Sequence, residues 1–113
     1  MKKLALVLAF LLIVSAPVTA ATRSTIITPK LTFSETTAQC TVSVIGNSTS
    51  EFIEVTMKLM YGPSCVDSWT GSGYGFVRIQ ESATAISGRT YELVVEVTVN
   101  GVAKEPVSVT KTC

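Results

Sequence analysis

Two stretches of the chain alternate apolar and polar side chains with a period of two. In Glu51 to Tyr61, the residues Ile53, Val55, Met57, Leu59 and Tyr61 share one side, with Glu54, Thr56 and Lys58 on the other. In Thr90 to Val99, the residues Tyr91, Leu93, Val95, Val97 and Val99 oppose Glu92, Val94, Glu96 and Thr98. Successive side chains of an extended backbone point to opposite faces, so each stretch predicts a strand with one face buried. Asn100-Gly101 then breaks the run where a reversal is due, and Val107 and Val109 supply the returning arm of a hairpin. A two-residue loop there pairs odd with even positions and turns Val107 and Val109 to the wrong face. A three-residue loop, Val99-Asn100-Gly101 with Gly101 left-handed, pairs odd with odd and is the preferred reading. The alternative is a tight turn followed by a bulge between Lys104 and Pro106.

The remaining chain reads as weaker strands. Thr25 to Phe33 has Ile27, Leu31 and Phe33 in phase but contains Pro29, which predicts an edge strand that switches partners at the proline. Gln39 to Ile45 puts Cys40, Val42 and Val44 on one face, and Gly46-Asn47-Ser48 turns it. Cys65 to Thr70 predicts a short strand carrying the single Trp69, followed by a flexible connection at Gly71-Ser72-Gly73-Tyr74-Gly75. Phe76 to Gln80 and Thr84 to Ile86 read as two further short strands, and Ser87-Gly88 as the turn into the late hairpin. No window carries a helical stripe. Turn signals at intervals of roughly ten residues predict an all-β fold, an antiparallel sandwich of about seven strands.

The start of the chain changes the picture of its composition. Met1-Lys2-Lys3, the apolar run Leu4 to Val14 and the small residues Val18-Thr19-Ala20 have the three parts of a secretory signal peptide, and Ser15 and Pro17 end a run too short to span a bilayer. The expected organisation is a signal peptide over 1–20 and one domain over 21–113, with cleavage after Ala21 an alternative; the product is secreted and holds no membrane anchor. Loss of Lys2 and Lys3 takes the formal charge from +1 to −1, which leaves no polycation for nucleic acid or anionic lipid.

Gly88-Arg89-Thr90-Tyr91, at the start of the longest late strand, resembles the tyrosine corner of immunoglobulin-like and fibronectin-type domains and precedes the strand that would be F. Cys40, the strand ending in Leu59, Trp69-Thr70-Gly71-Ser72-Gly73 and Gly88-Arg89-Thr90-Tyr91 with its Val-Thr strand together resemble small exported proteins of Gram-positive bacteria. The resemblance implies a single immunoglobulin-like sandwich and supplies no activity. The chain departs from an antibody domain in having no cysteine on strand F and in placing Trp69 after strand C.

Three cysteines in an exported chain argue for one disulfide and one leftover thiol. In the immunoglobulin strand order, Cys40 begins B, Cys65 follows C and Cys113 ends G, so the three meet at one pole and all three pairings stay open. Cys40 with Cys113 is preferred because it ties the chain end into the core. Cys65 is then a free thiol, open to an intermolecular disulfide and a disulfide-linked dimer.

Catalytic chemistry finds little to work with. Without histidine there is no Ser-His-Asp relay or imidazole zinc site, and three cysteines without a C-x-x-C pair fall short of a four-thiolate site. Glu51 with Glu54, and Glu92 with Glu96, read as solvated strand faces rather than the opposed carboxylates of a glycosidase. No catalytic residue, metal or cofactor is expected. Trp69, Tyr74 and Tyr61 are the candidate binding surface, with Phe76 beside them in sequence, since exposed aromatics stack on sugars or anchor a protein. The expected role is a small secreted non-catalytic β-sandwich that acts as an extracellular interaction or structural module, with an extracellular protein as partner; the alternative is a carbohydrate-binding module with Trp69 and Tyr74 as its platform.

Overall fold

A computed structural model describes residues 25–113; the signal peptide expected over 1–20 lies outside the described residues. Eight strands follow one another: β1 (Ile26–Ser34), β2 (Thr37–Ile45), β3 (Phe52–Tyr61), β4 (Ser64–Tyr74), β5 (Phe76–Thr84), β6 (Thr90–Val99), β7 (Val102–Ala103) and β8 (Val107–Thr112). They form two antiparallel sheets, β1-β2-β5 and β4-β3-β6, with β7 and β8 both laid along the far side of β6. In immunoglobulin terms the first sheet holds A, B and E and the second C′, C, F and G, since β4 sits beside β3.

The period of two sets what is buried. Ala38, Cys40, Val42 and Val44 of β2 face Ile53, Val55, Met57 and Leu59 of β3 and Leu93, Val95 and Val97 of β6, all essentially inaccessible to solvent. The intervening residues of these strands are exposed or only partly covered. No polar or charged residue is buried among the described residues, so the core is held by apolar burial and by the backbone ladders.

The late hairpin takes the tight-turn alternative, and the preferred three-residue loop does not form. Asn100 and Gly101 both have positive φ, 51° and 82°, and Val99 pairs with Val102 across them. These dihedral signs suit a type I′ turn, whose twist matches that of the strands. Farther on, Val95 pairs with Val107 and Leu93 with Val109, a register one residue displaced from that at the turn. The slack is taken up between Lys104 and Pro106, and Val107 and Val109 return to the inward side. Asn100 also fastens the turn to β3, donating its N–H to the Phe52 carbonyl (2.8 Å) and accepting the Phe52 N–H on Oδ1 (2.9 Å).

Three other expectations are corrected. β1 pairs with β2 from Ile26 to Ser34 without changing partner at Pro29. Counted from the hairpin turn, where Ser34 faces Thr37, hydrogen-bonded and open pairs alternate, and Pro29 opposite Val42 falls on an open pair. Its missing N–H therefore belongs to the free edge, and no ladder bond is lost. The glycine-rich stretch is not a flexible connection: β4 runs on through Gly71, Ser72 and Gly73 to Tyr74, paired with Phe52 to Val55 of β3. Thr84 to Ile86 is not a separate strand either, for β5 continues to Thr84 and Ala85 donates its N–H to the Thr36 carbonyl at 2.8 Å.

The two inner glycines of β4 have a packing reason. A Cβ on Gly71 would lie 3.2 Å and 3.3 Å from two Ile79 carbons, and one on Gly73 would lie 3.0 Å from the Phe76 carbonyl oxygen. Their lack of side chains lets β4 of one sheet approach β5 of the other and close that flank of the sandwich. The tyrosine corner is formed: the buried Tyr91 hydroxyl accepts the Ile86 N–H at 2.8 Å.

Candidate functional site

The cysteines are placed by their strands. Cys40 lies on the inward face of β2, opposite Leu31 and Glu81. Cys65 is exposed just past the β3–β4 turn, and Cys113 is partly covered at the end of β8. All three thiols are free, so the disulfide expected between Cys40 and Cys113 is not formed. Cys113 Sγ meets the Glu35 carbonyl (3.5 Å) in the β1–β2 turn. Cys40 lies farther along β2 with its side chain fully buried, whereas Cys113 stays partly exposed at the chain end. The two residues belong to the same end of the sandwich, but side-chain depth separates the pair.

Burial, with a smaller contribution from the Asp67 carboxylate, pushes the Cys40 thiol from its usual 9.0 up to about 11. The sign follows from proton counting. Between these two values the unfolded chain has lost the proton and the folded one keeps it, so stability falls as pH rises through that interval. The contribution is fully present below pH 9.0 and amounts to about 3 kcal/mol at most. Cys40→Ala should therefore flatten the loss of stability between pH 9 and 11 relative to the parent protein. In a thiol-labelling experiment at neutral pH, Cys65 should react at once and Cys40 only on unfolding. Equal labelling rates, or an unchanged alkaline limb in the variant, would contradict the placement of Cys40.

The three aromatic candidates do not come together. Trp69 opposes Met57 on the inward side of β4, half-buried against the core. Tyr74 opposes Phe52 on the outward side near the other end of the strand, with ring centroids 5.1 Å apart and Tyr74 67% exposed. Tyr61 lies at the opposite pole, packed on Tyr91 at 5.6 Å with the Arg89 guanidinium 4.4 Å above its ring. A coplanar Trp69–Tyr74 platform is thus not formed, because an odd separation along a strand sends two side chains to opposite faces.

Two surface features are not apparent from local patterns. The first is a row across the outer face of the three-stranded sheet, where Ile26 pairs with Ile45 and Ile45 with Phe76. These side chains are 57%, 46% and 51% exposed. The next row, Thr28, Ser43 and Arg78, is polar. Each of the three terminates its own strand, so only the cross-strand register reveals them as neighbours. The second is a groove of about 850 Å³ on the outer face of the other sheet, floored by β3 and β6 and walled by β4 and by the Lys104–Pro106 excursion. Glu54, Thr56, Thr70, Ser72 and Thr98 line it.

Among the described residues no group of three or more His, Cys, Asp or Glu side chains is placed to hold a metal ion. Neither a family model nor a curated protein matches the sequence. Among solved structures the chain is similar to a β-glucuronidase from glycoside hydrolase family 2, at 10% identity and a TM-score of 0.43. That similarity covers 77% of this chain and 11% of the other, so the chain spans about a tenth of the length of the protein it resembles.

Proposed function

We propose that the chain is an exported, non-catalytic interaction module that docks a partner protein against the outer face of its three-stranded sheet. The observation that carries this reading is the Ile26–Ile45–Phe76 row. Three large apolar side chains from three adjacent strands lie side by side in solvent, on a face that is otherwise Thr, Ser, Gln, Lys and Arg. Cross-strand neighbours sit about 5 Å apart, which makes the row one continuous patch rather than scattered exposure. Aliphatic carbon gains most from burial against other apolar protein surface, and a polar rim around it suits a docking site.

The non-catalytic part of the reading is supported by the carboxylates, none of which is buried or opposed across a cleft between the sheets. Export rests on the amino-terminal sequence alone.

A photo-crosslinking side chain placed at Phe76, and at Gln80 as a control two outward positions along β5, tests the proposal on intact producing cells. One adduct of defined mass is expected at 76 and none at 80, with the released protein beginning at Ala21 or Thr22. Labelling that is absent at 76, or equal at both positions, would remove the docking reading; a product retaining Met1 would remove export.

A further inference from the structure

We infer that the groove on the outer face of the β4-β3-β6 sheet is a binding site for a neutral oligosaccharide. It lies on the opposite sheet from the apolar row, so the two proposals can fail separately.

The groove exists because of the displaced register between β7 and β8. The Lys104 N–H still donates to the Val97 carbonyl at 2.8 Å, Glu105 and Pro106 carry the slack, and Lys104 and Pro106 border the groove beside the outward side chains of β6. Its floor comes from strands paired on both sides: β3 lies between β4 and β6, and β6 lies between β3 and the β7–β8 arm. Their backbone donors and acceptors are therefore already used, and a peptide cannot add to the floor as another strand. Recognition has to come from side chains.

Those side chains discriminate among the remaining ligand classes. Two carboxylates line the groove, but the Lys58 ammonium sits 3.6 Å from Glu96, and the Thr98 hydroxyl donates to Glu54 at 3.2 Å. Two acids held this way do not make a cation cage, which takes six or more oxygen ligands. Among the described residues Lys104 is the single cation lining the groove, and with Lys58 on Glu96 the two carboxylates are balanced by two ammonium groups, so the groove has no net charge to attract an anion or a cation. A neutral ligand rich in hydroxyls fits what is left. Thr56, Thr70 and Ser72 can each donate or accept, the Thr98 hydroxyl can accept while it donates to Glu54, and the free lone pairs of Glu54 accept from sugar hydroxyls.

One row beyond Glu54 and Ser72 on the same outward face stands the Phe52–Tyr74 pair. From Thr56 to Phe52 the face runs about 13 Å along the strand, enough for a short run of rings, with an exposed aromatic at its end for stacking. Tyr74 is thus a candidate sugar contact in company with the groove hydroxyls, and Trp69, on the inward face, takes no part.

The test is a titration of the protein with neutral hexasaccharides of glucose, xylose, mannose and N-acetylglucosamine, read from its amide and indole resonances. At least one should shift Thr56, Ser72 and Thr98 saturably, with the Trp69 indole signal unmoved. Tyr74→Ala and Thr70→Val, each checked for an intact resonance spectrum, should weaken that binding about tenfold, the scale of one stacking or hydrogen-bonding contact. Should Tyr74→Ala unfold, Thr70→Val alone decides. No shift with any of the four glycans, shifts centred on Trp69, or undiminished binding by the folded variants would overturn the inference.

Discussion

Gly75→Ala is expected to lower the unfolding free energy by about 3 kcal/mol, the combined scale of a left-handed backbone and an overpacked contact. Gly75 is the single residue between β4 of one sheet and β5 of the other. Its φ is +77°, and a Cβ there would stand 2.8 Å from the Thr49 Cα and 3.4 Å from the Ser48 carbonyl oxygen. Both are backbone atoms, so no rotamer change relieves the contact. The loop cannot easily retreat either. The Gly75 N–H donates to the Glu51 carbonyl at 2.9 Å, and its own carbonyl accepts the Gly46 N–H at 2.9 Å. Moving the loop away therefore breaks two hydrogen bonds that fix the crossing.

Gly88 supplies the comparison. Its φ is +90°, yet nothing lies within 4 Å of a Cβ built on it. Gly88→Ala should show the dihedral penalty alone, about 1 kcal/mol. Urea denaturation of the two variants beside the parent protein separates the two effects. Losses of equal size would mean that the approach to Thr49 does not constrain the crossing.

Gly75 also shows where the sequence stops being informative. The strongest alternations, Glu51 to Tyr61 and Thr90 to Val99, predict β3 and β6 nearly to the residue, because both strands lie in the middle of their sheet with one face buried. β4 escapes because it is an edge strand: Gly71 and Gly73 occupy inward positions where a neighbouring sheet leaves no room for a side chain. A local reading sees flexibility in those glycines, while the reason for them lies in Ile79 and Phe76. The hairpin is legible in its logic. Parity demands either a longer loop or a bulge, and the Asn-Gly preference for a tight turn decides for the bulge.

Site residues suffer from the same gap between local and long-range information. Trp69 and Tyr74 are close in sequence but fall on opposite faces of one continuous strand. Once β4 is drawn through the glycines, their odd separation predicts this. Ile26, Ile45 and Phe76 carry no local mark at all, since they become neighbours only when β1, β2 and β5 are paired in register. The disulfide expectation fails at a finer level. Strand order brings chain ends to one pole, but does not set the depth at which each sulfur points.

Leu93→Ala is expected to destabilise the domain by about 3 kcal/mol, within the range for removing a large aliphatic side chain from a packed interior. Leu93 is fully inaccessible, opposite Leu59 of β3 on one side and Val109 of β8 on the other. β3 and β6 are held by partners on both flanks, so they cannot slide inward to fill the space. A domain of this size has a margin on the order of 5 to 10 kcal/mol, which makes such a loss a large fraction of the whole. The neighbouring Val94 points outward beside Lys58 and Ser108 and is partly exposed. Val94→Ala should therefore remain within about 1 kcal/mol of the parent. The contrast between adjacent positions tests the register itself, because a slip of one residue would exchange the two environments along the whole of β6. Thermal or urea unfolding that penalises Val94→Ala as heavily as Leu93→Ala would mean that β6 does not hold the alternation on which its own sheet and the groove on that sheet's outer face depend.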